Sequence, residues 1–294
     1  MSRFQAGILA DVPGQARYLS FSMLPGTDPR NALKALSGFA DGKNIVVGIG
    51  ASMARFLGVD LPGLKFFPVF DGARVGVPST PRDIWCWLRG EDRGELIQAT
   101  REVTTLLADA FYRESAIDAF RYGSGLDLTG YEDGTENPKD AAALETAIAE
   151  GQGEGVDGSS FVAVQQWVHD LDHFQSMPQE DQDNTIGRRK SDNEELDDAP
   201  ATAHVKRTAQ ESFEPEAFIV RRSMPWADAS REGLVFVAFS HSFDAFDSLL
   251  KRMAGAEDGV IDALFKFTRP VSGAYFWCPP IHEGELDLRA LGIS

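Results

Sequence analysis

Nine residues, GYEDGTENP at Gly130–Pro138, gather two glycines, three acidic side chains and an Asn-Pro pair in a stretch that suits neither helix nor strand. Asp133 thus sets a carboxylate between two glycines, and nothing in the local pattern accounts for it. In AFIVRRSM, strand alternation puts Ala217, Ile219, Arg221 and Ser223 on one face and Phe218, Val220, Arg222 and Met224 on the other. One arginine must therefore point where its neighbours are apolar. The following LVFVAFS is hydrophobic on both faces, which implies a sheet covered on both sides and a partly dry site for Arg221. A guanidinium there requires an anionic or acceptor partner. The third group is His204 in DAPATAHVKRT, expected in a loop after Pro200 where a side chain is free to be aimed, although on spacing alone it reads as a surface residue. An Asp, an Arg and a His can thus converge, and residue types alone do not say on what.

Other matches lead nowhere. GIGASMARFLG begins like a dinucleotide fingerprint, but Met53 stands where the third glycine belongs. His169 and His173 have helical metal-ligand spacing, yet His169 ends a strand and the helix is expected to start at Asp170, so both read as satisfied or surface histidines. DNEELDD lacks the spacing of a calcium loop and reads as solvated.

The elements that must position these groups fall into two similar halves. In the first, FQAGILA reads as a strand and DPRNALKALSGFA as an amphipathic helix with Asp28 as a cap. KNIVVGIG and DIWCWLRG are strands, RGELIQATREVTTLLADAFYRE a long helix and AIDAFRYGSG a last strand. The order is βαββαβ. In the second half SFVAVQQWVHD is a strand, LDHFQSMPQEDQDNTIGRR a helix, EAFIVRRSM and GLVFVAFS strands, SFDAFDSLLKRMAG a helix and GAYFWCP a strand. The repeated order implies an α+β fold of tandem ferredoxin-like units, each with an antiparallel sheet packed against helices. GSGLDLTGYEDGTENPKD and EGQGEGVDGSS form the expected connection, so the Asp133 segment sits at the seam.

Composition narrows the partners. The chain has 294 residues, of which 43% are hydrophobic, enough for real cores. Its 45 acidic and 28 basic residues give a net charge of −17, which repels phosphate backbones and anionic lipid and leaves small molecules or proteins. Two cysteines, Cys86 and Cys278, lie in apolar runs without a CxxC pair, pointing to a reducing cytoplasm. No run reaches the ~20 apolar residues of a membrane span, and MSRFQAGILADVPGQARYL carries no recognisable export signal.

The ordered set of GYEDGTENP, WVHDLDHF, IGRRKSDNEELDDAPATAHVKR, VRRSMP, LVFVAFSHSFDAFDSLLKRMAG and FTRPVSGAYFWCP resembles the dye-decolorising peroxidases of the compact cytoplasmic kind, over nearly the whole chain. The resemblance implies two ferredoxin-like domains, residues 1–145 and 146–294, with one b-type haem in the second. It makes His204 the proximal iron ligand, Asp262 the carboxylate partner of that imidazole, and Asp133 and Arg221 the residues over the open distal face, without choosing which is essential. Gly134 would let the backbone approach the porphyrin. Arg188 and Arg207 would meet the propionates, and Ser223, where some relatives carry Asn, would contact a distal water. The implied activity is peroxide reduction through an oxoferryl intermediate, followed by one-electron oxidation of dyes, phenols or porphyrinogen-like donors. Tyr122, Tyr131 and Trp226 are candidate relays to bulky aromatic donors. The alternative within the resemblance is a haem-handling protein with little turnover. Exposed sheet edges would favour a homo-oligomer. Packaging by an encapsulating shell protein occurs in the family, but LDLRALGIS offers no long tail to support it.

Overall fold

Strands that are apolar on both faces need cover on both, and the chain supplies it by closing its sheet into a ring. The computed structural model describes residues 3–293; Met1, Ser2 and Ser294, the outer ends of the two terminal segments read above, lie outside them. The first half runs β1 (Gln15–Met23), α1 (Arg30–Phe39), β2 (Ile45–Gly50), α2 (Ala51–Phe56), β3 (Ile84–Gly90), α3 (Arg93–Leu107) and β4 (Phe111–Phe120). After α4 (Asp140–Ala147), the second half runs β5 (Ser160–His169), α5 (Leu171–Ser176), α6 (Gln179–Ile186), α7 (His204–Arg207), β6 (Val220–Arg221), β7 (Met224–Ala227), β8 (Glu232–Ser240), α8 (Asp244–Met253), β9 (Thr268–Pro270) and β10 (Ala274–Cys278). Both halves keep the expected βαββαβ order.

Three boundaries differ from the sequence reading. FQAGILA is not a strand: Ala6–Ile8 is a single 3-10 turn, anchored where the buried Gln5 amide bonds the backbone of Val47. The first strand is instead QARYLSFSM, which pairs with β3 and β4 at once. The long helix stops at Leu107, and Phe111–Glu114 joins β4, where Phe111 pairs with Met23; sheet pairing overrides local helix propensity. LDHFQSMPQEDQDNTIGRR splits into α5 and α6 because Pro178 holds Met177 extended, at ψ 144°.

Neighbouring strands follow the order β8-β7-β4-β1-β3-β2-β10-β5, and β5 returns to pair with β8. The two half-sheets therefore join along both sides, through β2–β10 (Ile49 opposite Trp277) and β4–β7 (Ala119 opposite Trp226). The edges of β2, β10, β4 and β7 are thus paired within the chain, while β6 and β9 end the sheet order. Alternation then sorts each strand: Tyr18, Trp85, Trp87, Phe239 and Phe276 fill the inside of the ring. Leu19, Cys86, Leu88, Ala163 and Ala238 face outward under α1, α3 and α8.

Trp226 marks the weaker seam, where β4 and β7 share one residue pair; it is almost fully buried and its indole N–H donates to the Trp167 carbonyl at 3.0 Å. Trp226→Ala should lower stability by about 3–5 kcal/mol, and Trp226→Phe by clearly less, read as shifts in urea midpoint.

Candidate active site

Outside the ring, between its second-half strands and α8, lies the cavity that gathers most of the chemistry. Ile219, Leu234 and Phe236 line it from the sheet, and Leu249, Leu250 and Met253 line it from α8. Asp133, Arg188, His204 and Arg221 also line it.

Arg221 is aimed here by strand register. β6 and β7 continue one register against β8, with Arg221 opposite Ala238 and Met224 opposite Val235. Ile219 and Arg221 consequently face the cavity, while Val220 and Met224 enter the ring interior, as the alternation required. Its anionic partner is Asp133, with Nη1 and Oδ1 3.3 Å apart and both side chains about one-fifth exposed. Two segments far apart in sequence thus meet as the motif suggested.

His204 is not in a free loop: it opens α7, directly after Ala203. Its Nδ1 lies 2.7 Å from Oδ2 of Asp262, whose side chain is completely buried. Asp262 caps the next turn with its other oxygen, which accepts from Leu264 N at 2.8 Å. A carboxylate can only accept, so Nδ1 is the donor, and in the neutral tautomer with that proton the lone pair is on Nε2. Among the described residues Nε2 has no hydrogen-bond partner.

The remaining expectations divide. Arg188 lines the cavity, but its guanidinium already binds Glu136, donates to the Asn193 carbonyl at 3.0 Å and sits 3.6 Å from Glu195. Arg207 does not line it; the guanidinium is buried in a two-pronged bond to Asp258 and a third to the Arg252 carbonyl, a structural tie rather than an open cation. Ser223 does not line it either, because its hydroxyl accepts from Val237 N at 3.4 Å and so substitutes for a backbone partner. Gly134, at φ +75°, is also absent from the lining; a Cβ there would stand 2.8 Å from the Asn137 side-chain nitrogen, so the space it leaves belongs to Asn137. Of the relay candidates only Tyr122 is exposed; Tyr131 and Trp226 are buried.

Sequence reasoning missed a polar group at the same cavity. His169 is satisfied, as expected, by Thr268 (Nδ1 to Oγ1, 2.6 Å) and by Asp127 (Nε2 to Oδ1, 3.1 Å), but it is buried and lines the cavity with both partners. Gln165, two strand repeats earlier on the same face of β5, is almost fully buried, lines the cavity and leaves Nε2 unpartnered. An orphaned donor in an apolar wall fits a bound group with polar atoms of its own. The only sequence signal was a run of glutamines and a histidine within an otherwise apolar strand.

The geometry now meets its relatives. The sequence model described as Dyp-type peroxidase, C-terminal, matches residues 125–283, more than half the chain. The dye-decolorizing peroxidase of Rhodococcus erythropolis is 31% identical over 280 residues, covering 92% of this chain and 78% of that protein. The chain belongs to the Dyp-type peroxidase family. The dye-decolorizing peroxidase of Mycobacterium tuberculosis is 30% identical over 246 residues, covering 81% of this chain and 73% of its own. Among solved structures, a dye-decolorizing protein from V. cholerae superposes with TM-score 0.85 at 29% identity over 98% of this chain and 99% of that one. A DypB variant from Rhodococcus jostii RHA1, solved in complex with heme, gives 0.81 at 25% identity over 92% and 94%. The tandem ferredoxin-like architecture is therefore that of the Dyp-type peroxidases, and in this member the two half-sheets close into one ring.

Burial pushes the Asp127 carboxyl up, but the hydrogen bond and charge of His169 and two donors from Thr129 outweigh it and hold the carboxyl below its usual range. A depressed folded-state pKa stabilises above the unfolded value of ~4 and is lost as pH falls through the folded value. Asp127→Asn should therefore lower stability by about 1–3 kcal/mol at pH 7. The gap to the unmodified chain should close as pH drops below ~4, measured by urea midpoints across that range.

Proposed function

We propose that Asp133, Arg221 and His204 form the working centre of a haem-dependent peroxidase, an oxidoreductase that reduces hydrogen peroxide and draws electrons from a separate donor. One observation carries this reading: the Asp133–Arg221 pair and an imidazole with a free Nε2, backed by a buried carboxylate, line one largely apolar cavity. That donor set fits haem, since an apolar wall suits the macrocycle, a carboxylate-backed imidazole is a strong iron ligand, and Gln165 Nε2 awaits an acceptor. His204 would hold the iron and Arg188, sharing Glu136 and Glu195, would face the acidic edge of the group. When bound, haem supplies the two electrons that cleave the O–O bond and recovers them singly from donors.

The chain's own part is proton and charge management. The Asp133 carboxylate accepts the proton from one peroxide oxygen and returns it to the other, which departs as water. Arg221 presents a fixed cation where negative charge develops as the bond breaks, without reorganisation at that moment. The apolar wall excludes bulk water from the exchange. A bulky aromatic donor would react at the rim or through the exposed Tyr122 rather than inside the cavity. Cys86 and Cys278 are both free and buried, which supports a reducing compartment, and no described helix is long and apolar enough to cross a membrane.

Purified holoprotein should show a haem Soret band that His204→Ala abolishes. Asp133→Ala and Arg221→Ala should retain the band and slow the reaction with H2O2 by about a hundredfold or more in stopped flow. A band without peroxide-dependent dye oxidation would instead mark a haem-handling protein.

A further inference from the structure

We propose that Asn137 is the positioning residue of the distal pair, its carboxamide pinning the backbone of Arg221 to the loop that carries Asp133. The inference rests on the reading of Asp133 and Arg221 as the reacting pair. β6 ends the sheet order, so one of its sides has no strand beside it. In an antiparallel ladder successive residues turn their backbone groups to opposite sides. Arg222 N–H points to β8 and donates to the Val237 carbonyl at 2.8 Å, which leaves the Arg221 N–H and C=O facing away from β8. Both are met by one side chain: Arg221 N–H donates to Asn137 Oδ1 at 2.8 Å, and Asn137 Nδ2 donates to the Arg221 carbonyl at 3.0 Å. A carboxamide offers the same donor and acceptor as a peptide group, so Asn137 substitutes for the missing strand at the single residue where position decides the chemistry.

The loop is shaped to deliver that amide. Asn137 N–H closes a turn onto the Gly134 carbonyl at 3.0 Å, and Pro138 restricts Asn137 to extended backbone. Gly134 has no Cβ and thereby makes room for Nδ2. Asp133 immediately precedes this turn, so whatever fixes Asn137 against Arg221 also fixes Asp133 against the guanidinium. The ion pair cannot do this alone, because a single part-exposed contact at 3.3 Å holds two segments weakly. Arg222 adds a second donor to the Arg221 carbonyl at 3.0 Å and ties it to the Leu9 carbonyl, but it does not reach the Asp133 loop.

The test uses an isosteric change. Asn137→Asp keeps the oxygen that accepts from Arg221 N–H. When protonated, its other oxygen donates to the Arg221 carbonyl as Nδ2 does; when ionised, it sets a charge against that carbonyl. The charged groups near the position are Arg221 with its partner Asp133, Arg222, and the chain neighbours Glu136 and Lys139. The ratio of variant to unmodified rate for the H2O2 reaction should fall roughly tenfold or more by pH 7 and climb toward one as pH drops below ~4, where the new carboxyl becomes protonated. Asn137→Ala should be slow at every pH, and hydrogen–deuterium exchange at the Arg221 amide of the full chain should rise. A ratio independent of pH, or Arg221 exchange unchanged in Asn137→Ala, overturns the proposal. If Asp133→Ala and Arg221→Ala leave the peroxide reaction untouched, the functional reading falls, and the exchange result still decides the clamp.

Discussion

Backbone groups along a sheet edge must find partners, and in this chain each half-sheet finds them in the other. Pairing of β2 with β10 and of β4 with β7 turns two open sheets into one ring with an interior of its own. Strands such as β2 and β3 then have two apolar faces, one turned inward with Trp85 and Trp87, the other outward with Val47, Cys86 and Leu88 under the helices. No polar reaction could be run inside such a packed ring. The cavity lies instead on the outer face of the second half, and its acid comes from the connector between the halves.

Buried polar groups around that cavity are nearly all satisfied within the protein. Asp127, His169 and Thr268 form one closed network, and Asp262 serves both His204 and Leu264 N. Unmet capacity is confined to a few atoms, notably Gln165 Nε2 and His204 Nε2. A buried unmet donor such as Gln165 Nε2 is costly until a ligand completes it, which concentrates binding energy where the ligand must be oriented.

How much of this could be read from the sequence depended on whether the deciding partner was near or far. β2, β3 and α8 follow from local pattern, and the direction of Arg221 follows from period-two alternation because the register with β8 is regular. β1 escaped because QARYLSFSM looks half polar until it is flanked by β3 and β4, and the end of α3 escaped because Phe111 is drawn to Met23. Arg207 resembled an open cation, since Asp258 lies 51 positions away in the chain. The room that Gly134 leaves for the Asn137 amide appears only after the loop has folded back on Arg221.

Cys86 and Cys278 sit in adjoining layers of the ring wall, fully sealed, and burial pushes both thiols up, away from the thiolate form. Peroxide attacks sulfur almost wholly through the thiolate, so neither position offers its substrate a foothold. A catalyst bathed in an oxidant is inactivated by its own softest atoms. With Cys86 sealed under the outer helices and Cys278 inside the ring, burial alone keeps both from that hazard.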